Sequence, residues 1–261
     1  MHTLDLELRY YRFYPGDVPL GETSKTASLQ PSQTALLLVD VYHAAEKPEG
    51  RDLVHPLYEQ AWWEIVNDRL PPLLQAARAM GMPVIYAMNS APRIDLPHSA
   101  FGRRLEESLG FSPEAHFCEP SVDPLEFVRG DLVQLAIPPQ IAPVPSDYYI
   151  RKHTYSAFFE TRLESLLTNL DVRTVLCAGF VANCCLLFSL ADALFRGFEP
   201  ICIRDCTLAA EKPGEVEGFP QTGWTIQWIE SILAPTATAA SVTRALQDFR
   251  ARQGPEVTAA R

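Results

Sequence analysis

The sequence predicts an α/β fold in three layers, with a central, mostly parallel sheet of five or six strands and helices on both faces. Short apolar runs typical of buried strands alternate along the chain with stretches of helical periodicity. The clearest unit begins at Val175 and ends at Asp205, where the pattern indicates a strand, a turn, a helix ended by Gly197, and a second strand. Such a unit folds as a parallel crossover, and this favours the parallel sheet.

Length, composition and charge bound the kind of protein. The 261 residues are enough for a sizeable core, and 47% hydrophobic with 21% charged residues is typical of a globular protein. The formal net charge is -10 and no basic cluster stands out, so nucleic acids are not expected as partners. The sequence shows neither a secretory signal pattern nor an apolar run of membrane length, and its six cysteines fit reduced thiols. We therefore expect a cytoplasmic protein that binds no membrane.

One domain is predicted between an N-terminal arm and a C-terminal tail. Residues 1–33 are rich in Tyr, Pro and Ser, and we expect this arm to pack on the domain or on a neighbouring subunit. Residues 34–250 form the domain, within which 90–148 has the character of an insertion or lid, because recurrent prolines rule out long helices there. Residues 251–261 form the tail.

Strands and helices alternate through this domain. Continuous apolar runs predict buried strands at 34–39, 83–88, 148–151, 175–178 and 200–203. Besides the helix that ends at Gly197, helical periodicity predicts helices at 57–80, 161–170, 222–233 and 241–250. The adjacent Pro71 and Pro72 predict a kink or two successive helices within the first of these.

Polar or reactive residues follow four of the predicted strands. The carboxyl end of a predicted strand is reached at, or just before, each of Asp40, Asn89, Lys152 and the turn Gly179–Cys185. In a parallel sheet these ends meet at one edge, where open α/β sheets bind their ligands. The sequence therefore predicts an active site at this edge. For any one of these residues taken alone, a structural role is the alternative, such as a loop aspartate that caps the next turn.

The residue types at that edge suit acyl transfer from an amide to a thiol, followed by hydrolysis. A cysteine at the start of a helix lies near unpaired backbone N–H groups and the positive end of the helix dipole, which favour the thiolate. Asp40 can take the thiol proton, and Lys152 can hold the carboxylate and stabilise the thiolate. Cys184 and Cys185 compete for the role, because adjacent helical residues point about 100° apart and at most one faces the cleft.

Three motifs resemble the isochorismatase-like cysteine hydrolases, and among them the pattern is closest to ureidoacrylate amidohydrolases and related amidases. The family's strand that ends in an aspartate is similar to TALLLVDVY at residues 34–42. Its lysine segment resembles RKHTYSAFFETRLESLL at 151–167, and its cysteine motif resembles GFVANCCLLFSLADALFRG at 179–197. The resemblance extends over residues 30–245, and its register places the nucleophile on Cys185.

The resemblance implies a Rossmann-like, three-layer fold with a catalytic triad of Asp40, Lys152 and Cys185. It also implies a non-proline cis peptide bond between Phe180 and Val181, and an oxyanion hole made by the backbone N–H groups of Val181 and Cys185. From the residues themselves, the candidates for substrate binding are Tyr42, Asn89, Arg93, Phe158 and Asn183. The alternative roles are loop anchoring for the polar candidates and core packing for the aromatic ones.

The chain departs from the family pattern around the cysteine. Val181-Ala182 stand where relatives have Ala-Thr, and Leu186–Phe188 stand where relatives often carry Val, Glu and a small residue. This predicts a more apolar pocket wall or a subunit contact. The loop after the second strand has Asp95 and His98 but lacks the paired histidines of the metal-binding relatives, so no metal and no other cofactor is expected.

The expected function is that of a metal-independent cysteine amidohydrolase. It would cleave the C–N bond of a small amide, ureido or N-carbamoyl compound through a thioester intermediate on Cys185. One alternative is isochorismatase-type hydrolysis of a vinyl ether by acid catalysis from Asp40, and another is a non-catalytic binding protein on the same fold. Because relatives are commonly dimers or tetramers, a homodimer or homotetramer is expected.

Overall fold

The structure is a computed structural model that describes residues 3–12, 21–42, 55–89, 99–110, 137–212 and 214–253. Eight strands in these ranges form one sheet: β1 Leu4–Arg12, β2 Gly21–Leu29, β3 Thr34–Val39, β4 Val84–Asn89, β5 Tyr148–Lys152, β6 Thr174–Gly179, β7 Glu199–Ile203 and β8 Thr236–Ala237. Their spatial order is β2-β1-β8-β7-β6-β3-β4-β5. The strands from β8 to β5 pair in parallel, whereas β1 is antiparallel to both β2 and β8.

Helices cover the sheet. In the described ranges they are α1 Pro56–Glu64, α2 Leu70–Ala79, α3 Ala100–Leu109, α4 Leu163–Asn169, α5 Leu187–Phe195, α6 Pro220–Ile232 and α7 Ala239–Gln253. The π-helical turns Ile65–Arg69 and Ala182–Leu186 lead directly into α2 and α5. The first of these turns confirms the prediction of two successive helices. Pro71 and Pro72 fall in the first turn of α2, the part of a helix where proline is tolerated best.

The N-terminal arm is part of the sheet in its described residues, which corrects the expected strand count from five or six to eight. Leu4, Leu6 and Leu8 are buried on one face of β1, and the guanidinium of Arg9 donates to the carboxylate of Glu230 at 2.7 Å. The expectation of five or six strands holds for the parallel part of the sheet. The missed strands are the β1–β2 hairpin and the two-residue β8.

The core lies in two halves, one on each face of the sheet. In β3, Leu36 and Leu38 belong to the half packed under α1, α2 and α7, whereas Ala35, Leu37 and Val39 belong to the half under α4, α5 and α6. Because β3 is buried on both faces, apolar and polar residues do not alternate along it, and its sequence is a continuous apolar run. The three-layer α/β prediction is confirmed. None of the helices in the described ranges combines the length and the hydropathy needed to cross a membrane.

The close approach of β6 to β3 requires a glycine at residue 179. Gly179 has a φ of +114°, and a Cβ there would lie 2.0 Å from the carbonyl oxygen of Val39. Gly179→Ala is therefore expected to lower the free energy of unfolding by about 3–5 kcal/mol, because backbone strain adds to overlap with main chain.

Gly197→Ala is the matched control for this variant. Its φ of +85° is also positive, but a Cβ there would meet no atom within 4 Å. Only the strain applies, and we expect a loss of about 1–2 kcal/mol. Chemical denaturation measures both variants, and equal losses would contradict the close approach at residue 179.

Candidate active site

A buried ion pair lies at the carboxyl end of the parallel strands. Asp40 directly follows β3 and Lys152 ends β5; Oδ2 of Asp40 is 2.9 Å from Nζ of Lys152, and the two side chains are 4% and 0% exposed. The other carboxylate oxygen accepts the backbone N–H of Asn89 at 3.0 Å. Nζ also donates to the side-chain oxygen of Asn89 and to the carbonyl of Thr154 at 2.9 Å. The ammonium thus hydrogen-bonds Asn89 and Thr154 and forms an ion pair with Asp40, and its third N–H remains for Sγ of Cys185.

The structure brings Cys185 to this ion pair. Cys185 lies in the π-helical turn Ala182–Leu186, and its Sγ is 3.8 Å from Nζ of Lys152. Through Lys152, the thiol is part of the same buried cluster as the carboxylate of Asp40. Residues from three distant segments of the chain thus meet in one cluster at the carboxyl edge of the sheet.

Burial and charge set the protonation of the ion pair. Burial raises the pKa of Asp40 above its ordinary value, although Lys152 opposes the shift. For Lys152, burial alone would lower the pKa, but the charges of Asp40 and Cys185 outweigh it and raise the pKa. The ammonium therefore stays charged, and it lies beside a carboxylate that is a stronger base than an ordinary aspartate.

The two adjacent thiols interact with each other. A hydrogen bond with Cys184, together with burial, raises the pKa of Cys185 well above its ordinary value, and the same bond lowers the pKa of Cys184. Cys184 therefore ionises more readily on its own. Cys185 is the thiol in contact with Lys152, so it is the one whose thiolate gains the ammonium once a base removes its proton. The geometry favours Cys185 as the nucleophile.

Main-chain hydrogen bonds hold the cysteine turn against the sheet. The peptide bond between Phe180 and Val181 is cis, at the position that the resemblance implies. The N–H of Phe180 donates to the carbonyl of Val39 at 2.8 Å, and the N–H of Ala182 donates to the carbonyl of Leu208 at 2.8 Å. The turn is thereby attached to the end of β3 on one side and to the segment after β7 on the other.

Two of the predicted substrate-binding residues belong to the cluster itself. The amide nitrogen of Asn89 donates to the hydroxyl of Tyr42 at 2.9 Å, while its oxygen accepts from Lys152. Both ends of the Asn89 amide are therefore used inside the site, and this favours a role in holding Lys152. Burial and the nearby charges of Asp40 and Cys185 raise the pKa of Tyr42, so its hydroxyl stays neutral.

The other predicted substrate-binding residues have different outcomes. The side chain of Asn183 accepts the N–H of Ala210 at 2.9 Å and donates to its carbonyl at 3.4 Å, so it anchors that loop. Phe158 is 3% exposed and packs with its ring centroid 5.9 Å from that of Phe198. Phe158 thus packs in the same half of the core as Cys185, and its contact with substrate stays a prediction. Arg93 lies outside the described residues.

Three aromatic side chains lie beside the cluster. The sequence predicted an apolar wall that includes Phe188, but it did not predict Phe101 or Tyr155 at the site. Tyr155 stacks on Phe188 with centroids 5.6 Å apart, and Phe101 of α3 meets Tyr155 edge-on at 5.0 Å. We call Phe101, Tyr155 and Phe188 the aromatic wall. The sequence could have placed Phe188 beside the thiol from its spacing, because Phe188 follows Cys185 by three residues and so lies on the same side of the helix.

A metal site is not formed by the described residues. No group of three or more His, Cys, Asp or Glu in the described ranges is arranged to hold an ion. Asp95 and His98, which the sequence analysis singled out, lie outside those ranges.

Comparison with known proteins identifies the family. The sequence model of the isochorismatase domain family matches residues 34–222, so the chain belongs to the isochorismatase family of hydrolases. Ureidoacrylate amidohydrolase RutB of Rhizobium rhizogenes is 28% identical over 198 residues, which are 73% of this chain and 76% of that protein. N-carbamoylsarcosine amidase of an Arthrobacter species is 28% identical over 186 residues, 71% of this chain and 63% of the amidase, which is less than two thirds of its length.

The solved structures agree with the fold. A cysteine hydrolase from Pseudomonas syringae pv. phaseolicola superposes with a TM-score of 0.66 at 24% identity, covering 85% of this chain and 95% of that one. The family resemblance and the α/β fold predicted from the sequence are therefore confirmed.

Proposed function

We propose that this protein is a cysteine amidohydrolase that cleaves the C–N bond of a small amide, ureido or N-carbamoyl compound through a thioester on Cys185. The observation that carries the proposal is the contact of Sγ of Cys185 with the buried ion pair of Asp40 and Lys152. The names of the two amidohydrolase relatives support hydrolysis of this bond class.

In the proposed reaction, Asp40 takes the thiol proton of Cys185 and Sγ attacks the carbonyl carbon of the amide. The backbone N–H groups of Val181 and Cys185 stabilise the oxyanion of the tetrahedral intermediate. Asp40 then gives the proton to the leaving nitrogen, the C–N bond breaks, and ammonia or an amine departs. Asp40 then takes a proton from a water molecule, which attacks the thioester; the C–S bond breaks, Asp40 returns the proton to the sulfur, and the acid product leaves. Lys152 remains an ammonium throughout and stabilises the thiolate.

The surroundings of the thiol support an apolar or planar substituent on the substrate. Lys152 and Asp40 are buried and paired, so the charges of the cluster are already balanced. The aromatic wall stands beside the cysteine turn, and half of the Phe188 side chain is exposed. Stacking on an aromatic ring contributes about 0.5–1.5 kcal/mol beyond the burial of area, so this wall favours flat, apolar groups.

The pH dependence of turnover should report the ionisation of Asp40. Because burial raises the pKa of Asp40, kcat/KM is expected to fall on the acidic side at a pH above the ordinary aspartate range, as the carboxyl becomes protonated and cannot take the thiol proton. The raised pKa of Lys152 keeps the ammonium charged on the alkaline side. A kcat/KM profile that stays level down to about pH 3.9 would contradict this assignment.

Ammonia release from a panel of primary amides, ureides and N-carbamoyl compounds tests the function itself. We expect turnover of at least one class by the wild-type protein and none by Cys185→Ala. Full activity of Cys185→Ala on an amide would show that the thiol mechanism is wrong. If no compound reacts and Cys185 alkylates no faster than the core residue Cys177, the alternative of a non-catalytic binding protein gains support.

We further propose that the protein is a homodimer or homotetramer, as the resemblance implies. An apolar stripe on α6 supports this, with Trp224, Trp228 and Ile232 at 69%, 44% and 51% exposure. Residues four apart lie on one side of a helix, so the three side chains form a continuous surface. Sedimentation velocity should show an oligomer that Trp228→Lys dissociates, and a monomeric wild-type protein would disprove it.

A further inference from the structure

Strand order alone does not bring Lys152 to Cys185. Lys152 ends β5 and Cys185 lies in the turn that follows β6, and these two strands are separated in the sheet by β3 and β4. At about 4.8 Å for each step between neighbouring strands, their carboxyl ends are about 14 Å apart. Yet Nζ of Lys152 and Sγ of Cys185 are 3.8 Å apart. The lysine side chain and the turn after β6 have to reach across this gap, so contacts above the sheet help to set the distance.

A buried serine joins the two segments above the sheet. The hydroxyl of Ser189, one helical turn after the cysteine, accepts the N–H of Ala157 at 3.0 Å and donates to the carbonyl of Cys185 at 2.7 Å. Ala157 belongs to the segment that follows Lys152, and both Ser189 and Ala157 are fully buried. One hydroxyl thus connects the main chain of the lysine segment directly to the main chain of the nucleophile.

A second link runs in parallel one turn further along the helix. The hydroxyl of Ser156 accepts the N–H of Phe158 at 3.1 Å and donates to the carboxylate of Asp192. Asp192 is held in turn by Arg196, whose Nη1 is 2.6 Å from its Oδ1. We call Ser156, Ser189 and Asp192 the serine clamp.

We propose that Ser189 is a positioning residue that sets the distance between Lys152 and Cys185, with Ser156 and Asp192 in support. The inference rests on the proposed function, because it gives the Lys152 ammonium the task of stabilising the Cys185 thiolate. Removing the Ser189 hydroxyl leaves the carbonyl of Cys185 and the N–H of Ala157 without this partner. The turn is then free to shift away from the ammonium, and the thiolate loses stabilisation.

The pH dependence of Cys185 alkylation tests this proposal without a substrate. Iodoacetamide labelling is followed by peptide mass spectrometry in a Cys184→Ala background, so that one thiol of the pair is read. Ser189→Ala is expected to move the midpoint of alkylation to higher pH. On a substrate found in the panel, it should lower kcat about tenfold to a hundredfold with little change in KM. An unchanged midpoint in folded Ser189→Ala would overturn the proposal.

Ser231→Ala is the matched control. Its hydroxyl donates to the carbonyl of Gln227 at 2.6 Å, the same bond to the residue four positions earlier, but on the exposed side of α6. No shift of the alkylation midpoint is expected there. An equal shift in Ser231→Ala and Ser189→Ala would show a general effect of losing a helical serine and would overturn the proposal.

A milder pair of variants covers the case in which Ser189→Ala does not fold. Ser156→Ala should raise the midpoint in the same direction by a smaller amount, and Ser156→Thr, which keeps a hydroxyl, should restore it. Equal midpoints for Ser156→Ala and the wild type would reject the clamp. If the midpoint shifts but no amide in the panel is hydrolysed, the clamp stands and the proposed function fails.

Discussion

Cys185→Ala is expected to reduce amide turnover by at least about a thousandfold, whereas Cys184→Ala keeps most of it. The two adjacent residues have the same side chain, but they differ in the groups that they contact. Cys185 contacts Lys152, the partner of Asp40 in the buried ion pair, so loss of its sulfur is expected to leave the reaction without a nucleophile. Initial rates of ammonia release by the two variants measure the difference.

The opposite outcome has a definite physical meaning. The hydrogen bond between the thiols lowers the pKa of Cys184, so this residue is the one that ionises first in the absence of a base. If Cys184→Ala abolishes turnover and Cys185→Ala does not, ionisation outweighs contact with Lys152 and the nucleophile lies one residue earlier. Thermal unfolding of both variants checks that the fold is intact.

Lys152→Met is expected to abolish turnover and to lower the free energy of unfolding by about 3–5 kcal/mol. The side chain is fully buried and its ammonium pairs with the carboxylate of Asp40 at 2.9 Å. Methionine fills much of the space but leaves that carboxylate buried without a counter-charge. Chemical denaturation of the variant gives the size of the loss.

The double variant Asp40→Asn with Lys152→Met separates stability from catalysis. Removing both charges leaves no unpaired ion, so the double variant should be more stable than Lys152→Met alone while remaining inactive. Arg104→Met is a surface control, because Arg104 pairs with Glu107 at 2.8 Å where both side chains are exposed, and little change is expected. A double variant no more stable than Lys152→Met would contradict the buried ion pair.

The sequence could predict the location of the site because the end of each buried strand can be recognised from the residues next to it, and the carboxyl ends of parallel strands meet at one edge of the sheet. The apolar run that ends at Asp40 predicts a buried strand in this way. No such local signal places β1, whose pairing with β8 joins Arg9 to Thr236 across nearly the whole chain. The alternating LDLEL pattern of β1 was visible, but not its neighbour in the sheet.

The sequence also could not predict which aromatic side chains of the lysine segment face the site, and the reason is different. Tyr155 and Phe158 lie three residues apart in one aromatic-rich run, yet Tyr155 stacks in the aromatic wall and Phe158 is in the core. The run forms no regular helix or strand, so no periodicity decides which ring faces the site. The bonds from Ser156 to Asp192 and from Ala157 to Ser189 attach the run to α5 and decide it instead, and they join segments more than thirty residues apart.

The central claim is that the acyl group of the substrate becomes attached to Cys185. Rapid acid quenching of a turnover mixture, followed by intact-protein and peptide mass spectrometry, measures this directly. We predict an adduct with the mass of the acyl group in the wild-type protein and in Cys184→Ala, and none in Cys185→Ala. An adduct that persists in Cys185→Ala, or turnover that continues in that variant, would contradict the mechanism.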